Sequence, residues 1–175
     1  MSLVTPEEFQ KYQQGDPATF LESASALVQR YCGWEIAPRE ERTFVLDGRG
    51  SQHLWLPTLM LVDVISVMND GEEVPVENYD WSKDGWVGLR CGAWSERASG
   101  IEVTCISGYE KAPADLAGII MGVAARGAAS PTGAYLQRAG AVQMQWQADK
   151  GSALGGSFLE AEKAVLDLYK LPARQ

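Results

Sequence analysis

The chain has 175 residues, a net charge of −8 and 46% hydrophobic residues, which fits one globular domain with a substantial core. Lys and Arg form no basic cluster, which argues against a free-standing DNA- or RNA-binding protein. No apolar run approaches the ~20 residues of a membrane helix, and the N-terminus has no signal-peptide pattern, so we expect neither.

Two helices are predicted before residue 33. Residues 5–8 (Thr-Pro-Glu-Glu) have the form of a capping box, and the helix that they start is expected to end near Gln13. Asp16 and Pro17 begin a second helix in the same way, and Gly33 provides a left-handed stop. The inner face of the second helix is expected to hold Phe20, Leu21, Ala24, Leu27, Val28 and Tyr31.

From Glu41 to Tyr109 the hydrophobic period changes to two, which predicts an antiparallel β-module inserted between helices. The Asp-Gly pairs at 70–71 and 84–85 are signals for tight turns between strands. Residues 101–105 alternate apolar with polar side chains, as a half-buried strand does.

A central helix is predicted over residues 113–129, and Pro131 is expected to end it. Its larger apolar residues recur at helical spacing and define one buried face. Small residues form a second stripe, which would let another backbone come close, so we expect this helix to be packed on two sides. The larger residues are Leu116, Ile119, Ile120, Val123, Ala124 and Gly127, and the small stripe is Gly118, Gly122, Ala125 and Ala129.

Beyond Gly133 the pattern weakens. Residues 142–146 alternate apolar side chains with glutamine, which predicts one exposed or edge strand, and residues 148–156 have the composition of a flexible linker. A capping box at 157–160 starts a last helix that is expected to end near Leu171. A helix of this length is marginal alone in water, so its apolar face needs a partner. We expect a docking arm; the alternative is that the helix folds back onto its own bundle.

These elements predict an α+β fold, in which a small helical bundle carries an inserted antiparallel β-module and a C-terminal helix on a flexible linker. The expected organisation is a helical domain over residues 1–133 with the β-insertion at 41–109, a strand and Gly-rich linker at 134–157, and the docking helix at 158–175.

No pattern predicts catalysis, a cofactor or a metal site. His53 is the only histidine, and the three cysteines are widely spaced, as thiols in a reducing compartment are. The sequence contains no GxSxG, HExxH or Walker motif. Asp63 and Asp80 are weak candidates for a catalytic pair. We therefore predict that the chain is not an enzyme.

Several segments together resemble the head–tail connector (adaptor, or head-completion) proteins of long-tailed bacteriophages and prophages, particularly those of actinobacterial hosts. The resemblance covers about residues 5–133, with a looser match at the last helix. The matching segments are residues 61–64, 70–71, 79–81, 84–85, 103–109, 113–116 and 130–133.

This resemblance implies a structural virion protein with no catalytic residues, made in the host bacterial cytoplasm and located at the head–tail interface. About twelve copies are expected to form a ring under the portal protein, next to a further connector or a tail-completion protein. Genomic DNA would pass through the ring without sequence-specific binding, and an acidic ring would repel its phosphates and let it slide.

Two other classes stay open. A stand-alone ligand-binding β-module would use an aromatic cleft at Trp55, Trp81 or Trp86. A thiol- or carboxylate-dependent enzyme would need a strongly depressed thiol pKa at Cys91 or Cys105.

Tryptophan favours strands and interfaces, so the six tryptophans are expected mainly in the core or at contacts with partners. A charged residue at Trp86 or Trp94 is expected to harm assembly more than folding. The predicted interface residues are Trp86, Trp94, Trp146, Phe158, Leu159, Val165, Leu166, Leu168 and Tyr169.

Overall fold

The computed structural model describes residue 7 and residues 10–12, 15–129, 136–139, 142–145 and 158–172. Helices and antiparallel sheets are both present, so the predicted α+β class is confirmed. The chain divides into two compact units. The helical unit is Met1–Cys32 with Ala114–Leu168, and the β unit is Gly33–Pro113 with Tyr169–Gln175.

The helical unit is built on helices α1 (Pro17–Cys32), α2 (Ala114–Ala129) and α3 (Glu160–Leu166). Asp16 caps α1, because its carboxylate accepts hydrogen bonds from the Ala18 N–H and the Thr19 hydroxyl. The predicted helix at residues 5–13 lies largely outside the described residues; residue 7 and residues 10–12 are helical. The buried side of this unit holds Phe20, Ala24, Val28, Cys32, Leu116, Ile119, Val123, Ala124 and Leu166.

Close packing of α1 on α2 depends on a glycine. A Cβ at Gly127 would lie 3.3 Å from Cδ1 of Phe20, so the absence of a side chain lets the buried phenyl ring lie against the helix. The expectation that Leu21 and Leu27 lie on the inner face of α1 is wrong, because both side chains are exposed, at 41% and 38%.

The β unit contains seven strands in two antiparallel sheets. The four-stranded sheet has the order β1-β7-β3-β4, and the three-stranded sheet has the order β2-β6-β5. The strands are β1 (Glu40–Leu46), β2 (His53–Trp55), β3 (Leu61–Asn69), β4 (Glu72–Glu73), β5 (Tyr79–Ser82), β6 (Trp86–Leu89) and β7 (Ile101–Ser107).

Strand β7 is the centre of the larger sheet and pairs with β1 on one side and β3 on the other. Its alternation places Ile101, Val103 and Cys105 in the core, as predicted. The turn between β3 and β4 contains Asp70 and Gly71, both with positive φ, which is the conformation that an Asp-Gly hairpin turn requires.

The two ends of the β-insertion are held together within the β unit. The Tyr109 N–H donates a 2.7 Å hydrogen bond to the Ile36 carbonyl. Cys32 precedes the insertion and Ala114 follows it, so this bond joins the backbone close to the points where the chain enters and leaves the unit.

After α2 the structure has two strands, β8 (Leu136–Ala139) and β9 (Val142–Gln145), paired as an antiparallel hairpin. Only the second was predicted, because the sequence of β8 (Leu-Gln-Arg-Ala) lacks the alternation of apolar and polar residues that β9 shows. The predicted linker at 148–156 lies outside the described residues.

Helix α3 is shorter than predicted. It begins at Glu160, where the Leu159 N–H donates a 2.8 Å hydrogen bond to the Glu162 carboxylate. It ends at Leu166 and continues as a 3₁₀ turn at Asp167–Tyr169, which tightens the last residues instead of extending the α-helix to Leu171.

Candidate assembly surfaces

One face of the three-stranded sheet carries aromatic side chains that the β unit does not bury fully. Trp55 on β2 is 46% exposed, His53 beside it is exposed, and Trp86 on β6 is half-buried. Trp55 pairs with Trp86 and His53 with Gly88, so all four residues lie on the same face. We call these four residues the aromatic face; its composition is typical of a protein interface.

The rings of the aromatic face are arranged in a defined way. His53 and Trp86 meet edge to face, with centroids 5.4 Å apart. A Cβ at Gly88 would lie 3.1 Å from the Trp86 ring and 3.3 Å from the His53 ring, so a glycine here leaves room for both. His53 is therefore an exposed strand residue that contacts Trp86, which agrees with the prediction that it lies on a strand and is not a catalytic base.

An ion pair lies at the edge of the same sheet. Nε and Nη2 of Arg90 donate hydrogen bonds of 3.1 and 2.7 Å to the two carboxylate oxygens of Asp80. The hydrogen bonds from Arg90 lower the pKa of Asp80 and raise that of Arg90. Both side chains are more than half exposed, so solvent screens the pair and it adds little stability. Asp80 is therefore held as a surface anion, which is not how a general acid is prepared.

The three tryptophans proposed for a ligand cleft do not converge. Trp81 pairs with Val87, which is fully buried, and packs against the core of the β unit. Trp55 and Trp86 lie on the opposite face of that sheet. The geometry therefore gives no support to an aromatic cleft formed by all three rings.

Trp94 is a core residue. It is 2% exposed and packs in the hydrophobic cluster between the strands of the β unit. Its backbone N–H donates to the Ser51 carbonyl at 2.9 Å, whereas its indole Nε1 has no hydrogen-bond acceptor among the described residues. The expectation that a charge at Trp94 harms assembly more than folding is therefore corrected, because a buried charge without a partner destabilises the fold itself.

Helix α3 packs on its own helical unit, which is the alternative to a free docking arm. Leu166 is 0% exposed, and the Phe158 ring meets Tyr31 edge to face at 5.4 Å. Nη2 of Arg126 on α2 lies 2.7 Å from a carboxylate oxygen of Glu162 on α3, and both side chains are partly buried. Leu166 is therefore unavailable to a partner in this arrangement.

Hydrogen bonds also hold the residues that directly follow α3. The Tyr31 hydroxyl donates a 2.8 Å hydrogen bond to the Asp167 carboxylate, and this bond raises the pKa of Tyr31. Within the β unit, Nε1 of Trp34 donates to the Tyr169 carbonyl at 2.7 Å. Both bonds use side chains of residues that lie more than 130 positions earlier in the sequence.

The remaining predicted interface residues differ in their exposure. Leu168 is 78% exposed and Leu159 is exposed, whereas Phe158, Val165 and Tyr169 are half-buried. Trp146 lies outside the described residues. An interface role for this set stays a prediction, and its best-placed members are Leu159, Leu168 and, on the aromatic face, Trp86.

The Cys105 thiol does not have the properties of a nucleophile. Burial raises the pKa of Cys105 to about 11, and the nearby Arg42 lowers it only in part. Cys32 is also buried, whereas Cys91 is exposed. A reactive cysteine needs the opposite shift, because the thiolate is the attacking species.

We expect Cys91 to react with a thiol reagent at pH 8 much faster than Cys105, and the two to react alike in denaturant.

In the unfolded chain Cys105 ionises near its ordinary pKa of 9.0, and in the folded chain near 11, so folding favours the protonated thiol. Its contribution to stability is complete below pH 9 and is lost as the pH rises towards 11. Denaturant titrations at pH 8 and 10.5, compared with Cys105→Val, measure this loss; an identical pH response in both proteins would contradict it.

The described part of the chain offers no metal centre and no membrane-spanning helix. No group of three His, Cys, Asp or Glu side chains there is arranged to hold a metal ion. Among the described helices, none has the length and hydropathy needed to cross a membrane.

The described residues of this chain pack on only one of the two sides of α2 that we expected to be packed. We expected its small-residue stripe to be packed, yet Gly118, Ala125 and Ala129 are exposed, and Met121 between them is 58% exposed. The lack of charge at these positions favoured burial, since an ordinary surface helix carries polar residues on its outer side, so no signal in the sequence indicated the exposure.

A family model described as "Head completion protein" matches residues 3–121. No curated protein gives a significant match. Among solved structures, one chain of "Neck of native GTA particle computed with C12 symmetry" superposes with a TM-score of 0.61 at 13% identity, covering 95% of this chain and 89% of that one.

Two related structures give similar results. A chain of "Neck of empty GTA particle computed with C6 symmetry" has a TM-score of 0.57 at 17% identity, covering 91% of this chain and 79% of that one. A chain of "Virion of native gene transfer agent (GTA) particle" has a TM-score of 0.58 at 14% identity, covering 91% and 78%. Similarity at these identities shows a shared fold.

Proposed function

Because this chain belongs to the head completion protein family, we propose that it joins head to tail in a phage or phage-like particle, as a ring of about twelve copies under the portal protein. The role is structural. The observation that carries the proposal is the family match, which spans more than half of the chain. The fold shared with neck proteins of gene transfer agent particles supports it.

Ring formation is supported by the symmetry named for those particles. Their necks were computed with C12 and C6 symmetry, and both are compatible with twelve similar positions around an axis. A cyclic ring needs two different, complementary surfaces on each copy. The aromatic face and the exposed residues Leu159 and Leu168 are candidates for contacts with the portal protein, a second connector or a tail-completion protein.

The proposed path for DNA follows from charge. The chain carries a net charge of −8, which disfavours tight binding to phosphates and suits a channel through which DNA moves. In the proposed role the chain contributes no catalytic group, and the raised pKa of Cys105 and the ion-paired Asp80 agree with that.

We expect particles assembled without this chain to contain heads that lack attached tails, and added wild-type protein to restore attachment. Imaging of the restored particles should show a ring of about twelve copies next to the portal. The oligomeric state of the isolated protein does not test the proposal, since the protein can remain monomeric until the portal is present. A single copy per neck, or normal tail attachment without the chain, would overturn the proposal.

A further inference from the structure

The outer side of α2 is an exposed helix face without a single charge. It lies opposite the buried face of the helix and is uncovered by the described residues. Met121 at its centre is 58% exposed. Of the two charged residues in α2, Asp115 lies in the first turn and Arg126 is paired with Glu162. The outer face of α2 consists of Ala114, Gly118, Met121, Ala125, Ala128 and Ala129.

The three glycines inside α2 differ in what surrounds them within the described structure. Glycine destabilises a helix interior relative to alanine, so each one needs a reason. Gly127 has one in Phe20, whereas a Cβ at Gly122 would lie 3.5 and 3.6 Å from Arg126 and Glu162, which is ordinary contact distance and does not require glycine. A Cβ at Gly118 would meet nothing within 4 Å. The described structure therefore contains no neighbour that requires glycine at position 118.

We propose that the outer face of α2 is a contact between copies of this chain, and that an α-helix of a second copy lies across it at Gly118. The inference rests on the ring proposed above, in which copies must touch. Each copy carries a net charge of −8, so a contact between identical copies is opposed least where the touching surfaces add no close pairs of like charge. Small residues at such a contact allow the helix axes to approach to about 8 Å, and Met121 supplies an adaptable apolar side chain.

The test uses a substitution that should stabilise the isolated monomer and block the proposed contact between copies. Gly118→Leu replaces a poor helix former by a good one at an exposed position, so the isolated protein should melt about 2–4 °C higher. The leucine fills the space intended for the neighbouring backbone, so particles with a complete ring should fall at least about tenfold. Ala125→Glu, which introduces a charge, should leave the melting temperature near wild type and cause the same loss of rings. Ala26→Leu, at an exposed position of α1, is the matched control and should assemble normally.

The outcomes separate the two proposals. If the wild type forms rings and Gly118→Leu forms them equally well, the proposed contact at α2 is overturned and the connector role is unaffected. A lower melting temperature for Gly118→Leu or Ala125→Glu would mean that the chain covers this face itself, which would also overturn the contact. Absence of rings in the wild type would instead count against the proposed function.

Discussion

Replacement of Trp94 by alanine is expected to lower the free energy of unfolding by about 3–5 kcal/mol, a large part of the total stability of a domain. The indole is almost completely buried in the hydrophobic core of the β unit, so its removal leaves a cavity. Neighbouring loops are held by hydrogen bonds such as Ser95 N–H to the Asn69 side chain, which limits relaxation. Urea unfolding followed by circular dichroism would measure the loss.

Trp94→Phe is the matched control. It keeps much of the buried volume and removes an indole N–H that has no acceptor among the described residues. Loss of volume costs up to about 1.5 kcal/mol, and removal of an unpaired buried donor offsets about 1–3 kcal/mol, so we expect little net change. If the phenylalanine variant lost as much stability as the alanine variant, the indole N–H would have to be satisfied in the native protein.

Leu166→Ala is expected to destabilise the helical unit by about 2–5 kcal/mol, because Leu166 anchors α3 in the core of that unit. Leu168 lies only two residues further on and is largely exposed, so Leu168→Ala should change stability by no more than about 0.5 kcal/mol. Chemical denaturation of the two variants gives a direct comparison on one segment.

The same pair distinguishes an arm from a packed helix. A docking arm would show the reverse pattern, with Leu166→Ala neutral for monomer stability and harmful for attachment to the portal. A loss of attachment caused by Leu168→Asp in a protein of normal stability would support Leu168 as a contact with a partner.

The β-module was predictable because its signals are local. Alternation identifies the β7 segment without reference to any other strand, and the Asp-Gly pair at 70–71 defines a turn by its own backbone preferences. The cap of α1 by Asp16 and its end at Gly33 were predictable for the same reason, since capping depends on two or three neighbouring residues.

The sequence could not predict on which side of a sheet each aromatic side chain lies, because that depends on pairing between distant strands. Trp86 and Trp94 lie in similar sequence surroundings, rich in glycine, yet one is on the outer face of a sheet and the other in the core. At the C-terminus the apolar residues of α3 covered half of its circumference, so sequence could not decide which would be buried. The 3₁₀ turn at Asp167–Tyr169 alters the helical spacing after Leu166, and Leu168 is left exposed.

The hydrogen bond between Tyr109 and Ile36 has a consequence for the order in which the protein folds. Helices α1 and α2 are separated by about 80 residues, and closing a flexible loop of that length costs about 4 kcal/mol of chain entropy. Once the β unit has formed, its two ends are fixed side by side, and that cost has already been met by the strands between them. The seven strands of the β unit all lie between Glu40 and Ser107 and can therefore pair during synthesis, whereas the helical unit must wait until Leu166 has left the ribosome.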